Sequence, residues 1–183
     1  MLIGGVSCSS SAAHNIAHSF NRVRQQKPFP NDSLQWKHIT EQKLGKYRDA
    51  LDLFQAFNCE QKLDFTCLVV ERRRIDHARF SGHDGEISFQ KMMYQTYMAI
   101  LRKYGQPHVL RGFHGRRDSP IELTEFMKVF NNGATKDFLK RGFYRPMRQM
   151  EYMNVSKSDL HQVADLLLGA VSYRKMAERI ATD

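Results

Sequence analysis

The chain has 183 residues, which fits one folded domain because domains usually hold roughly 100–200 residues. Hydrophobic residues make up 42% of the chain and charged residues 26%, a composition that excludes a disordered protein. The 28 Lys and Arg outnumber the 19 Asp and Glu and give a net charge of +9, which favours polyanionic partners, nucleic acid first among them.

The first part of the chain predicts two strands and two helices. Residues 2–8 are a short apolar run with glycines, typical of an interior strand. Residues 11–26 place apolar side chains at helical spacing behind serines that can cap the helix. Residues 34–39 predict a short strand, and a helix is expected to begin at Thr40.

The middle of the chain contains the strongest strand signal. Residues 65–70 form a continuous apolar and β-branched run, which is typical of a strand buried on both faces. Residues 75–85 include two glycines and predict a loop. Apolar residues from Met93 to Tyr104 predict a long helix that ends at a glycine and a proline.

The last part of the chain continues the alternation of strands and helices. Residues 109–113 and 147–155 predict strands. A helix is expected over residues 119–130, with the Asn-Asn-Gly run at 131–133 as its stop. Asp159 is expected to cap a final helix that reaches about residue 179. The alternation predicts one α/β domain with helices on both sides of a sheet.

Cysteine content and hydropathy suggest where the protein works. Cys8, Cys59 and Cys67 lack the paired close spacing of a disulfide framework or a zinc site, so a reducing cytoplasm fits best. No apolar run approaches the ~20 residues of a transmembrane helix, and the first six residues lack the features of a signal peptide. We therefore expect a single cytoplasmic domain over residues 1–183 with no membrane partner.

Positive charge is concentrated in one quarter of the chain. Residues 102–148 hold eleven Lys and Arg against four Asp and Glu, which accounts for +7 of the net charge. Residues 140–148 interleave cations with Phe143 and Tyr144, which suits phosphate contacts beside base stacking. The alternative for each charged group taken singly is a solvated surface. The candidate nucleic-acid-binding residues are Arg72, Arg73, Arg74, Arg116, Arg117, Lys140, Arg141, Arg145 and Arg148.

Two groups of polar residues could carry chemistry. On the final helix, His161, Asp165 and Gly169 share one side beside an apolar face, where a partly desolvated carboxylate needs a cation. An ion pair with an arginine is the alternative for this carboxylate. Asp32 and the Glu-x-Lys at 41–43 faintly echo a nuclease pattern that holds Mg²⁺, although a helix start there favours capping and solvated charge. No catalytic triad, P-loop or dinucleotide fingerprint occurs.

Four stretches in order resemble a bacterial and phage family, domain of unknown function 3800. Residues 2–6 resemble its second strand, residues 36–40 its Glu-x-Lys-Trp segment, residues 75–80 the loop after its middle strand, and residues 162–170 its closing Gln-x-Ala-Asp helix. The resemblance implies an RNase H-like fold with a mixed sheet flanked by helices. It also implies a carboxylate cluster that holds Mg²⁺ or Mn²⁺ and cleaves phosphodiesters.

The chain departs from the family pattern at most of its acidic positions. The family's opening Asp-Glu-Ser-Gly strand would precede Met1 and is missing. One further acidic position falls near Ser33, and another falls near His114 or Gly115, where the closest carboxylate is Asp118. Asp165 matches cleanly and is the expected metal ligand. Asp165 and Asp118 are therefore the candidate catalytic residues.

Two explanations fit the missing acidic positions. Either the gene starts upstream of Met1 and encodes the absent strand, or the chain is a degenerate member that kept the fold and the basic surface. The first functional hypothesis is a Mg²⁺- or Mn²⁺-dependent nuclease, impaired in the chain as given. The alternative is a non-catalytic nucleic-acid-binding or interaction module of phage, mobile-element or defence origin. Nine methionines and the open sheet edge would also allow a homodimer.

Overall fold

The computed structural model of the protein describes residues 1–71, 75–104, 108–116, 122–138 and 145–180. Helices flank two small sheets, so the predicted α/β class is confirmed at this level. None of the helices that the structure describes is long and apolar enough to cross a membrane. In chain order the elements are β1 (Leu2–Cys8), α1 (Ser10–Arg24), α2 (Leu44–Cys59), β2 (Leu63–Val69), α3 (His77–Ser81), α4 (Gly85–Tyr104), β3 (Leu110–Gly115), α5 (Leu123–Phe138), β4 (Met147–Met153) and α6 (Asp159–Ile180).

The chain divides into two compact units. We call Leu2–Cys67 with Val155–Asp183 the terminal unit, and Leu68–Asn154 with Met1 the central unit. Strand β1 pairs with β2, and β3 pairs with β4, in separate two-stranded sheets. The described residues thus form two small sheets in place of the one mixed sheet that we expected. The single domain over residues 1–183 stays a prediction.

The terminal unit is built on α1, α2 and α6. Helix α1 begins after Ser9, whose hydroxyl oxygen accepts a hydrogen bond from the Ala12 N–H at 3.2 Å and so caps the first turn. One buried cluster comprises Ile16, Phe20, Leu63, Val163 and Leu167. A second comprises Val23, Leu34, Tyr47, Ala50 and Leu166. Both clusters include residues of α6, so this helix is central to the core of the unit.

The central unit places α4 and α5 against one face of the β3–β4 sheet. The strands are parallel, with Leu110 beside Met147 and Arg111 beside Gln149. Arg148 is therefore an extra residue in β4, and the two strands form a β-bulge at this point. The Asn131 side chain on α5 bonds both the N–H and the carbonyl of Met147 at 2.9 Å, which ties α5 to the start of β4. The core comprises Met93, Met98, Leu101, Phe126, Phe130, Ala134 and Met147.

Two of the strand predictions need correction. Residues 34–39 are not a strand, and a single 3₁₀ turn lies at Trp36–His38. The N–H groups of Leu34 and Trp36 bond to side chains of α6 rather than to a neighbouring strand. Strand β2 is not buried on both faces, since Leu63 alone among its residues is buried. A two-stranded sheet covers its members less completely than the multistranded sheet that we predicted.

Two segments that were predicted to lie outside helices contain helical residues in the structure. The Asn-Asn-Gly run at 131–133 does not end α5, which continues to Phe138. Asn131 is engaged with β4, and Gly133 leaves room for the ring of Tyr94, where a side chain would overlap it. Residues 75–85, predicted as a loop, contain the short helix α3. Tertiary contacts thus override the local preference of these residues for turns.

Candidate functional site

Asp165, the predicted metal ligand, lies on α6 in the terminal unit and is partly buried. Its Oδ2 accepts a hydrogen bond from the backbone N–H of Trp36 at 2.9 Å. The predicted alternative, an ion pair with an arginine, occurs instead at Asp159, where Oδ1 lies 2.9 Å from Arg24 Nε. Burial raises the pKa of Asp159, and the positive charge of Arg24 partly offsets this effect. Asp165 therefore bonds to the main chain, whereas Asp159 links α6 to α1.

Gln162, one turn before Asp165, bonds the segment of chain around Trp36, residues 33–36. Its side chain is 0% exposed, and Oε1 accepts a hydrogen bond from the Leu34 N–H at 2.8 Å. Its Nε2 donates to the Ser156 carbonyl at 3.0 Å. A buried amide left without partners costs about 1–3 kcal/mol, so these bonds hold both Gln162 and the segment in place.

Tyr47 on α2 hydrogen-bonds to backbone carbonyl groups of residues 33–36. Its hydroxyl lies 2.8 Å from the Ser33 carbonyl and 3.1 Å from the Gln35 carbonyl and donates to them. Burial, followed by the negative charges of Asp32 and Asp165, raises the pKa of Tyr47 to about 12. The phenol therefore keeps its proton and acts as a donor over the ordinary pH range.

Gly169, one turn after Asp165, lies directly under the ring of Trp36. A Cβ atom at Gly169 would overlap the indole, so a larger residue does not fit. The ring of Tyr173 lies 6.1 Å from the indole, centroid to centroid. We call Gln162, Asp165 and Gly169 with Tyr47 the α6 clamp. Its α6 members recur at three- and four-residue spacing and so share one face of the helix.

The α6 clamp does not fit the metal centre that the family resemblance implies. A two-metal phosphodiesterase site needs several carboxylates at one place. Within the described ranges, no three His, Cys, Asp or Glu side chains come together. His161 Nδ1 hydrogen-bonds to Ser158 Oγ at 2.8 Å. Asp118, the second catalytic candidate, lies outside the described residues. The geometry of Asp165 is that of a positioning residue for the segment around Trp36.

The faint nuclease pattern around Asp32 forms an ion pair. Lys43 Nζ lies 2.6 Å from Asp32 Oδ2. The hydrogen bond from Lys43, reinforced by its charge, holds the pKa of Asp32 below its usual value. Glu41 is exposed at the start of a 3₁₀ turn before α2. Neither Thr40 nor Lys43, the residues at the two helix starts, makes a side-chain capping hydrogen bond, so the capping interpretation is wrong. The charged groups form an ion pair rather than a metal site.

Three of the predicted nucleic-acid-binding residues lie within the described chain, all in the central unit. Arg116, Arg145 and Arg148 are exposed, and so is Arg111 on β3. We call these four residues the arginine frame. The other predicted residues lie outside the described residues; they are Arg72, Arg73, Arg74, Arg117, Lys140 and Arg141.

The pairing of β3 with β4 distributes the arginine frame around one strand pair. Arg111 and Arg148 lie near the starts of the two parallel strands, and Arg145 precedes β4 by two residues. Arg116 follows the end of β3, where its N–H bonds to the carbonyl of Met153 at 3.2 Å. Strands rise about 3.3 Å per residue, so Arg116 lies on the order of 15–20 Å from the three cations at the start of the strand pair, a distance that spans several phosphates.

The sequence reasoning did not identify Phe113 as part of this surface. Phe113 is 45% exposed, although we predicted only that it belongs to a strand. It shares its side of β3 with Arg111, two residues earlier, whereas Gly112 is buried against Tyr97. The two-residue alternation of β3 was the signal available, because it places Arg111 and Phe113 on the same face.

Comparisons with protein-family models, with curated protein sequences and with solved structures find no match to this chain. The resemblance to domain of unknown function 3800 and the RNase H-like fold therefore stay predictions from the residues.

Proposed function

We propose that the protein binds nucleic acid through the arginine frame and that this binding needs no metal ion at Asp165. The observation that carries the proposal is the exposure of four arginines around one strand pair. Guanidinium groups bind phosphate oxygens through paired N–H donors. A polyanion that contacts several of them also releases its condensed counterions, which favours association.

The distribution of charge between the two units also supports nucleic-acid binding at the central unit, which carries the arginine frame. The central unit holds sixteen Lys and Arg against nine Asp and Glu, a net charge of +7. The terminal unit holds twelve against ten, a net charge of +2. A field of this asymmetry steers a polyanion toward the central unit.

A binding titration with matched charge removal tests the proposal. The affinity for a labelled oligonucleotide of about 16 nucleotides is measured by fluorescence anisotropy at low and at physiological salt. The double variant Arg111→Ala/Arg148→Ala is expected to bind about tenfold more weakly at low salt and to show a flatter salt dependence. The control Arg48→Ala/Arg174→Ala removes the same charge from exposed positions of the terminal unit and should bind like the wild type.

Two results would contradict the proposal. Equal losses in both double variants would mean that only the total charge matters. An affinity for the wild type that does not change with salt would remove phosphate contacts as the basis of binding.

A cleavage assay separates this function from the nuclease hypothesis. The wild type, Asp165→Ala and Asp165→Asn are incubated with DNA and RNA in the presence of Mg²⁺ or Mn²⁺. We expect no cleavage that depends on Asp165. Metal-dependent cleavage that disappears in a folded Asp165→Asn variant would restore the nuclease hypothesis. A cytoplasmic location and a homodimer remain predictions from the sequence.

A further inference from the structure

Phe113 leaves nearly half of a large aromatic side chain accessible to solvent in the middle of β3. The side chain is 45% exposed, although burying a phenylalanine typically contributes about 1.5–3 kcal/mol. A single exposed apolar residue needs no special explanation. Here, however, the ring lies two residues from Arg111 and three from Arg116, within the strand pair that carries the arginine frame.

The outward orientation of Phe113 is fixed by the residues on either side. Gly112 faces the core, where an added Cβ would lie 2.5 Å from the Tyr97 hydroxyl. His114 faces the same way, and its Nε2 hydrogen-bonds to that hydroxyl at 3.0 Å. A slip of one residue would bring Phe113 into the space that only a glycine fits, and it would bury Arg111. The strand therefore specifies which side chains it exposes.

Polar groups from β4 lie beside the ring on the same face. The parallel register places Glu151 next to Phe113 and Gln149 next to Arg111. Gln149 Nε2 donates to Glu151 Oε1 at 2.5 Å. The face thus combines a flat apolar ring, hydrogen-bonding side chains and flanking cations, which is the combination that unpaired nucleotides use.

We propose that this face binds single-stranded nucleic acid, with a base stacked on Phe113 and the adjoining phosphates on Arg111 and Arg148. This inference rests on the proposed function and specifies its substrate class. In a duplex both faces of each base are already stacked on neighbouring pairs, so the Phe113 ring has no base plane to contact. An unpaired base offers its whole face, and stacking on an aromatic side chain contributes about 1–3 kcal/mol per base.

The test compares single strands and duplexes of the same length and sequence. The wild type is expected to prefer the single strand, and Phe113→Ala to lower the affinity for it about tenfold while leaving the affinity for duplex unchanged. Phe113→Tyr keeps the ring and should bind like the wild type. Tyr173→Ala removes an exposed aromatic ring of the terminal unit and serves as the matched control, with no expected effect. Circular dichroism confirms that each variant is folded.

The outcomes distinguish this inference from the proposed function. Equal affinity for single strand and duplex, unchanged by Phe113→Ala, would overturn base stacking and leave phosphate binding intact. Failure to bind either form would overturn the proposed function, and the inference with it. A 2-aminopurine base in the single strand gives an independent signal, because its emission should be quenched by stacking in the wild type and less in Phe113→Ala.

Discussion

At the level of single residues, Gly169 is the position where a side chain is least acceptable. A Cβ atom there would overlap the indole of Trp36, so Gly169→Ala must displace either the ring or α6. We expect a loss of about 2–3 kcal/mol in the free energy of unfolding, measured by urea denaturation. Gly45→Ala near the start of α2 is the control, since nothing lies within 4 Å of its added Cβ. That variant should be neutral or stabilised by about 0.5–1 kcal/mol, and equal losses at both sites would contradict the close contact.

The raised pKa of the Tyr47 hydroxyl predicts the pH range in which its hydrogen bonds stabilise the folded chain. Its pKa rises from 10.0 to about 12 on folding, so the unfolded chain loses this proton first. The stability it contributes is therefore fully present below about pH 10 and is lost as the pH rises through about 12. We expect Tyr47→Phe to lower the free energy of unfolding by about 1–2 kcal/mol at neutral pH. The difference from the wild type should shrink in urea denaturation at about pH 11, and a constant difference would contradict this role.

At the level of elements, side chains of α6 hold residues 33–36, which precede α2, through hydrogen bonds to their backbone. Asp165→Ala removes the acceptor for the Trp36 N–H and should cost about 1–2 kcal/mol. Asp165→Asn keeps an oxygen acceptor and should retain most of that stability. A metal-ligand role would not be kept in this way, because a neutral amide binds a divalent cation less well than a carboxylate does. Thermal denaturation without metal measures both. Asp52→Ala, on the exposed side of α2, is the control. Equal losses in the Ala and Asn variants would argue against the hydrogen bond.

Element positions were largely predictable from the sequence, whereas their partners were not. The helical spacing behind Ser9 and the apolar run before Val70 located α1 and β2 to within a few residues. The segment at 34–39 has the composition of a strand, yet its N–H groups bond to side chains more than 120 residues away in the chain. A local pattern cannot show such a partner. Likewise, the Gln-x-Ala-Asp stretch was identified through the family resemblance, but its contacts with residues 34 and 36 became visible only in the folded chain.

For the molecule as a whole, the location of a charge should matter more than the net charge. Glu151→Gln and Glu60→Gln both raise the net charge from +9 to +10. Glu151 lies beside Phe113 in the central unit, whereas Glu60 is paired with Lys62 in the terminal unit. We expect Glu151→Gln to strengthen oligonucleotide binding a few-fold at low salt, because it removes repulsion beside the proposed site. Glu60→Gln should have little effect in the same anisotropy titration. Equal gains would mean that only the total charge matters.

Trp36 gives the protein a built-in optical probe, because it is the one tryptophan in the chain. Its indole lies over Gly169 and near Tyr173, so selectively excited emission comes from the terminal unit. Unfolding of the terminal unit should expose the indole to water and shift its emission to longer wavelength. Far-ultraviolet circular dichroism, in contrast, reports helices of both units. The separation between the two unfolding midpoints therefore measures how independently the units unfold, without any added label.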